Sequence, residues 1–485
     1  MTQFSRRQFL ENSMFAATAA ALAGGTPKML LADEAKQGKG PNDRLGVAVV
    51  GVKGRGNEHL NAYGHTDKYN IEVTYICDAD REWGMKRVEE TAKRQGRAPK
   101  YVQDLRQVYD DPAVDVVSIA TPNHWHALAA IWAIQAGKDV YVEKPVSHNV
   151  SEGRRIVAAA RTHKKICQTG TQCRSMAGTI EAIDYVKAGK IGEVKVARGL
   201  CYKSRGSIGP KGEHAPPASV EYNLWLGPAP NKPVARNQFH YDWHWFWDYG
   251  NGDLGNQGIH QMDIARWGLG VDGLSKGVLS YGGRFGYEDA GETANSQTVI
   301  HDYGDKTLVF EVRGLKTEPL RGANVGVIFE GSDGYVVLTS YNGGAAFDLD
   351  GKMVTKFNGG GDHFGNFFTA VRSRQPEYLA ADIEQGHLSS ALCHLGNISY
   401  RLGSEIAFAE VPDRLKDRYH ATEDFERFSN HLADNKVHLE STQIRFGAPL
   451  AFDPKAEKFV ENSQADAMLT REYRAPFVVP AAGKV

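Results

Sequence analysis

Lys144 lies in Asp139-Val140-Tyr141-Val142-Glu143-Lys144-Pro145, an apolar alternation closed by an acid, an amine and a proline. Proline cannot extend a strand ladder, so the pattern puts the amine at the carboxyl end of a strand, the edge where ligands sit in open α/β sheets. An ammonium there can donate a hydrogen bond to an oxygen and stabilise negative charge as it develops. The plainer alternative is a surface lysine beside a glutamate in a turn. The second reactive group is His260, in Gly252-Asp253-Leu254-Gly255-Asn256-Gln257-Gly258-Ile259-His260-Gln261-Met262-Asp263. An imidazole of ordinary pKa, about 6.5, takes and returns a proton near neutrality. Asn256 stands four residues earlier, on the same face of a helix.

Such groups need a frame, and the chain supplies one in order. Leu45 to Val50 is a buried-strand run, followed by Gly51-Val52-Lys53-Gly54-Arg55-Gly56 and a helical segment with His59 and Leu60. A glycine-rich turn from strand to helix lets backbone N–H groups approach a pyrophosphate. Here Lys53 takes the place of the second glycine of the usual pattern. The strand Ile71 to Cys77 ends in Asp78. An acid at that point accepts hydrogen bonds from an adenosine ribose and repels a 2′-phosphate, favouring NAD over NADP; it would equally cap a helix beginning near Arg81. Asp115 to Ala120 closes on Thr121-Pro122-Asn123-His124-Trp125-His126 and a helix to Ala136, which Gly137 stops. A further helix (Ser151 to His163) and strand (Lys165 to Thr169) complete the rhythm over 45 to 170, which predicts a parallel doubly wound α/β sheet. After about residue 190 the period changes. Thr307 to Arg313 alternates, with Leu308, Phe310 and Val312 on a dry face and a wetter face opposite; similar runs occur at Val194 to Tyr202, Ser296 to Tyr303, Asn324 to Glu330 and Tyr335 to Ser340.

Val50-Gly51-x-x-Gly54-Arg55-Gly56, Asp78, Thr121-Pro122-Asn123 with His126, Gly137-Lys138-x-Val140-x-Val142-Glu143-Lys144-Pro145 and the block around His260 follow one another over roughly residues 44 to 400. In these pieces the chain resembles the Gfo/Idh/MocA family of oxidoreductases. The resemblance implies a Rossmann domain over 41–172, an α+β domain on an open, largely antiparallel sheet over 173–450, and a nicotinamide between them. It implies cofactor contacts from Gly51, Gly54, Arg55, Gly56, Asp78, Thr121, Asn123, His126, Glu143 and Lys144. Glu143 would hold the cofactor or fix the lysine. It also implies that Lys144 and His260 act, with tightly held NAD, on a secondary alcohol of a sugar, glycoside or cyclitol. The family block reads Asp-x-Gly-x-His, and here Asn256 replaces the aspartate. Asn can orient an imidazole but cannot stabilise its protonated form. Either Asp253 or Asp263 supplies the charge, or His260 works with less help, or the chemistry differs. Some members of the family are glycoside hydrolases that oxidise a sugar carbon transiently, eliminate, hydrate and reduce again; a sugar-binding protein that has lost the chemistry is a third possibility.

The insert over 203–250 ends in Phe239-His240-Tyr241-Asp242-Trp243-His244-Trp245-Phe246-Trp247-Asp248-Tyr249. Aromatic faces stack on the C–H faces of sugars while His and Asp grip hydroxyls, so Trp243, His244 and, beyond the insert, Asp263 are candidate substrate contacts; an aromatic plug over the core is the alternative. His240 and His244 lack a third ligand, and no metal site is expected. His394 is expected to be structural.

Composition narrows the partners. Lys plus Arg (57) balances Asp plus Glu (58), which gives no electrostatic case for nucleic acid or an anionic membrane. Five cysteines form no CxxC pair and imply no disulfide framework. Ser5-Arg6-Arg7-Gln8-Phe9-Leu10 and the apolar run from Met14 to Ala23 resemble a twin-arginine signal within a leader over 1–40. The run is too short to span a bilayer. Export of the folded protein to the periplasm or beyond is therefore expected, with no membrane span in the mature chain. The tail, 451–485, reads as an extended arm lying across a neighbour in a homo-oligomer, a dimer or tetramer.

Overall fold

The computed structural model describes residues 44–64, 66–416 and 421–485; the twin-arginine segment lies outside the described residues. Six strands form the first sheet: β1 (Leu45–Val50), β2 (Ile71–Cys77), β3 (Lys100–Val102), β4 (Val116–Ile119), β5 (Asp139–Val142) and β6 (Cys167–Thr169). All pair in parallel, in the order β3-β2-β1-β4-β5-β6. Chain direction across the sheet reverses between β1 and β4, which opens a crevice at their carboxyl ends. Val50 pairs with Cys77 and with Ile119, and Ile119 with Val142, so four strands end level and residues 51, 78, 120 and 143 all leave the sheet at one rim.

Both faces of this sheet are covered, which explains its nearly unbroken apolar strands. On one side packs the helix Asn123–Gln135, buried almost throughout. On the other packs the helix Arg55–Tyr63, which buries Gly56, His59, Leu60 and Tyr63 at one-face helical spacing. Beside it lies the helix His363–Ser373, whose Phe364, Phe367 and Phe368 return to this core from far along the chain.

The second sheet holds β7 (Val194–Tyr202), β8 (Gly277–Gly283), β9 (Ser296–Asp302), β10 (Thr307–Arg313), β11 (Val325–Gly331), β12 (Gly334–Ser340), β13 (Gly343–Asp348), β14 (Met353–Asn358), β15 (Ser404–Ala407) and β16 (Gln443–Phe446) in the order β14-β13-β12-β11-β7-β10-β9-β8-β16-β15, with β17 (Leu450–Asp453) pairing β8 and β18 (Lys458–Phe459) pairing β17. Its centre is β7 (Val194–Tyr202), parallel to β10 (Thr307–Arg313) and antiparallel to β11 (Val325–Gly331). Leu308, Phe310 and Val312 pack with Ile259 and Met262 of the helix Gly258–Leu269. The opposite face of β10 is not wet. Glu311 and Arg313 are buried beneath the helix Ala421–Asp434. They persist there because they are paired: Arg313 and Arg427 both reach Glu311 (2.7 and 2.6 Å), and Arg198 reaches Asp424 at 2.5 Å.

Helix Ile383–Arg401 packs against the helix Val150–Thr162 of the first sheet and against β8 (Gly277–Gly283) of the second. It is buried nearly from end to end, and the whole of 45–485 forms one compact unit. The tail folds onto its own chain. Phe477 inserts beside Trp125 and Trp132, and Arg474 donates to the carbonyls of Gly227, Ala229 and Asn223.

Candidate active site

The turn after β1 is built from close approaches. Gly51 has φ +81°, and a β-carbon on it would lie 2.7 Å from the Thr121 nitrogen; one on Gly56 would lie 1.8 Å from the Gly51 carbonyl. Gly54 faces open space. Lys53 does not obstruct the turn, because its ammonium sits over the Trp83 ring, 4.9 Å from the centroid. Asp78 accepts from the backbone N–H groups of Val52 (2.7 Å) and Asp80 (2.9 Å). Burial pushes its carboxyl up to about 6 against those two hydrogen bonds. The following helix, Arg81–Gln95, is capped by Asp80, which accepts from the Glu82 N–H at 3.0 Å. The capping alternative therefore falls to Asp80, and the Asp78 carboxylate faces the cleft.

That cleft also takes in Gly51, Gly54, Leu105 and Glu143 along its walls. Thr121 and Asn123 line it, and Thr121 Oγ1 and Asn123 Oδ1 have no hydrogen-bond partner. A glycine turn with room before it, a carboxylate at the next strand end and unsatisfied polar atoms between them fit a dinucleotide. His126 lines the same space, but its ring nitrogens meet the carbonyls of Pro145 (2.5 Å) and Thr121 (2.7 Å), so it ties two loops together.

At the other end, Arg55 Nε donates to Glu143 Oε1 (2.9 Å), and His59 Nε2 lies 3.0 Å from the same oxygen. His59 Nδ1 meets Ser118 Oγ at 2.8 Å, with the Tyr63 hydroxyl on that oxygen too. Burial alone would raise Glu143; the Arg55 guanidinium and the His59 hydrogen bond hold it well below the usual carboxylate range. Sequence reading missed this support, although the place of His59 four residues after Arg55 marks a buried helix face.

Lys144 Nζ donates to the Asn256 carbonyl at 2.6 Å. Burial lowers the lysine's pKa. Asn256 thus contributes its backbone, and the helix expected to carry both it and His260 breaks at Gln257 into Gly252–Asn256 and Gly258–Leu269. His260 is buried, its ring 4.9 Å from that of Tyr341, and its Nδ1 lacks a partner. Burial first, and the Lys144 charge next, keep it well below 6.5; the carboxylate that most opposes this is Glu143. Neither aspartate considered for that part is bonded to the imidazole. Asp253 is taken by Arg205 (2.7 Å), and Asp263 by Arg174 (2.8 Å) and the Ser389 hydroxyl (2.7 Å). Asp263 is fully buried in this pair and is not a substrate contact.

The insert divides between the two readings given to it. Trp225, Phe239, Trp245, Phe246 and Tyr249 form an aromatic core of their own, and Arg236 lies over three of these rings. His244 belongs with it, buried and donating from Nδ1 to the Tyr241 carbonyl, away from the cleft lining. Tyr241 and Trp243 do line the cleft, as does His240, whose Nε2 lies 2.7 Å from Asp80 Oδ2. A short antiparallel bridge joins Val220 to Asp80 at the same point.

Residues 45–171 match the family described as Gfo/Idh/MocA oxidoreductases, NAD-binding Rossmann fold, and residues 202–428 its C-terminal alpha/beta domain. Over 242 residues the chain is 30% identical to a levoglucosan dehydrogenase of Pseudarthrobacter phenanthrenivorans (49% of this chain, 54% of the relative). It is 28% identical over 156 residues to a glycosyl hydrolase family 109 protein of Shewanella pealeana (31% and 34%), and 26% identical over 161 residues to an inositol 2-dehydrogenase of Salmonella paratyphi B (33% and 46%). The chain thus spans only a third to about half the length of these relatives. Among solved structures, the WlbA dehydrogenase of Bordetella pertussis in complex with NADH and UDP-GlcNAcA superposes with TM-score 0.54 at 19% identity (74% of this chain, 97% of that one). A levoglucosan dehydrogenase in complex with NADH and levoglucosan superposes with TM-score 0.55, also at 19% identity (73% and 96%).

Proposed function

The chain belongs to the Gfo/Idh/MocA family of oxidoreductases and carries its NAD-binding Rossmann domain, and from that premise we propose that it oxidises a secondary alcohol of a sugar, glycoside or cyclitol, using tightly held NAD. One observation carries the reading: Lys144, bonded to the Asn256 carbonyl, and Glu143 line the end of the cleft that begins at the glycine turn, and the charges of both act on His260, which is buried behind that lining. NAD, when bound, supplies the acceptor for the hydrogen leaving carbon with its electron pair. The residues do the rest. Lys144, fixed by the Asn256 carbonyl, donates a hydrogen bond to the alcohol oxygen and stabilises its developing charge. His260, kept neutral, takes the hydroxyl proton. The buried Glu143 anion supports the imidazolium that results, the part that an amide at position 256 cannot play. The Asp78 carboxylate binds the adenosine ribose and disfavours a 2′-phosphate, which selects NAD over NADP. Tyr241 and Trp243 offer ring faces to the substrate. The relatives named levoglucosan and inositol dehydrogenases support the substrate class.

Lys144→Ala and His260→Ala should each reduce oxidation at least a thousandfold while the circular-dichroism spectrum and NAD content stay unchanged. Wild-type turnover in either variant sinks the assignment. The relatives named glycosyl hydrolase family 109 proteins and α-N-acetylgalactosaminidase favour a second reading, hydrolysis through transient oxidation. Accumulation of a keto-sugar decides for the dehydrogenase; release of a free sugar with no net NADH decides for the hydrolase.

A further inference from the structure

A second polar cavity lies behind the loop that carries Lys144, and no residue of its lining lines the cleft. It lies among four separate parts of the chain: the His148 loop, the end of the aromatic insert at Trp247 to Asn251, the last turns of the helix Ile383–Arg401, and the segment around Arg471.

What distinguishes it is an excess of hydrogen-bond donors. Arg471 Nη1 lies 3.2 Å from His148 Nδ1. A guanidinium only donates, so Nδ1 is the acceptor and the imidazole proton sits on Nε2. That N–H has no partner. Asn251 is 5% exposed, and its Nδ2 is likewise without an acceptor, although its backbone carbonyl accepts from Asn397 Nδ2 at 3.1 Å. The Arg401 guanidinium lies over the Trp247 ring at 4.9 Å, and no acceptor among the described residues hydrogen-bonds it. Of the acids on the lining, Asp248 is occupied by Lys232 (2.7 Å) and Glu472 stands at the exposed rim. Buried donors left unpaired cost about 1–3 kcal/mol each, and the two here, on the His148 loop and at Asn251, together with the exposed Arg401 guanidinium call for one acceptor-rich guest. Arg471 donates besides to the Asp248 carbonyl at 2.8 Å, so an anion chiefly answers the Arg401 guanidinium, which feels the charges of Glu292 and Asp248 without a hydrogen bond to either. His394, 3% exposed with Nδ1 unpartnered, adds a ring nitrogen that can serve a hydroxyl group as donor or acceptor.

We propose that this cavity is a second ligand site, for a small polyhydroxy acid whose carboxylate meets Arg401, Asn251 and His148. The site is independent of the reaction assigned to the cleft. Its test is titration calorimetry of the full, NAD-loaded chain with D-gluconate, with D-glucose as the neutral counterpart. Gluconate should bind at least tenfold more tightly than glucose. Asn251→Asp, which puts a carboxylate where the donor stood, and Arg401→Gln, at an exposed position that leaves the fold intact, should each weaken gluconate at least tenfold. If Asn251→Asp does not fold, Arg401→Gln decides alone. No heat from gluconate, which means a cavity holding only water, overturns the proposal. So does equal affinity for glucose, and so does gluconate affinity unchanged in Arg401→Gln, which means binding elsewhere.

Discussion

Asp78 and Asp263 are both buried acids, and their partners give them opposite consequences. Asp78 is held by two backbone N–H groups and keeps a carboxyl shifted upward to about 6, burial being the larger cause. Below that pH it is protonated and can no longer accept from two ribose hydroxyls; above it the carboxylate is restored. With a pKa of about 6 the ionised fraction falls from about nine-tenths at pH 7 to about one-tenth at pH 5, so NAD affinity should fall about tenfold over that range. Fluorescence titration of NADH checks this, and Asp78→Asn should bind more weakly with a flat profile. Asp263 faces Arg174 and Ser389. Removing it leaves the buried Arg174 guanidinium without its carboxylate, so Asp263→Ala should cost about 3–5 kcal/mol of stability, read as a lowered Tm, with kcat per folded molecule unchanged. A fall in kcat at unaltered Tm would return Asp263 to the reacting centre. Lys144, Asp78 and the glycines were legible in the sequence because each stands at the end of a strand whose pattern is local. His59 behind Glu143, and Arg174 opposite Asp263, were not, because those partners are 84 and 89 residues apart and only the fold brings them together.

At the scale of elements, the insert does what neither local periodicity nor family resemblance specified. It carries its own aromatic core, is joined to the first sheet by the bridge at Asp80, and brings His240, Tyr241 and Trp243 over the crevice into which Asp78 faces. On the proposed reading Asp78 holds the ribose, and a wall anchored at the neighbouring Asp80 should slow the dinucleotide's release, so its attachment should set the dissociation rate more than the affinity of the open groove. His240→Ala removes the 2.7 Å contact with Asp80 and should speed NAD release at least tenfold. NADH fluorescence during chase with excess NAD measures it, and an unchanged rate would show that the insert does not retain the cofactor. The aromatic run signalled burial, but whether it covered core or cleft depended on which strand end it reached. Elsewhere the first sheet was read strand by strand except for the short β3. In the second sheet β8, β13, β14, β15, β16, β17 and β18 went unseen: β13 to β18 are short, glycine-rich or exposed at the sheet's ends, where packing imposes little alternation, and β8, buried in the interior, has glycine at three of its seven positions.

Over the whole molecule, the order of the chain and the order of the layers part company. After β14 the helices His363–Ser373 and Ile383–Arg401 return to the first sheet, the chain rejoins the second sheet through β15 and β16, and the tail then returns to the first, so the cleft is braced by segments from both ends of the sequence. The tail was expected to cross to a neighbouring subunit, and its placement on its own chain makes the alternatives separable. Phe477 is 1% exposed, with its ring 5.4 Å from Trp125. Phe477→Ala should cost about 3–5 kcal/mol, the usual loss for a buried phenylalanine. If the tail packs within one chain, that loss is the same at every protein concentration. If it is exchanged between copies, the melting temperature of the wild type rises with concentration by mass action and the variant loses that dependence. Thermal unfolding of both proteins over a hundredfold range of concentration, with light scattering on the same samples, separates the two. A concentration-independent difference in Tm is the expected result, whether the native protein is a monomer or an oligomer joined through another face.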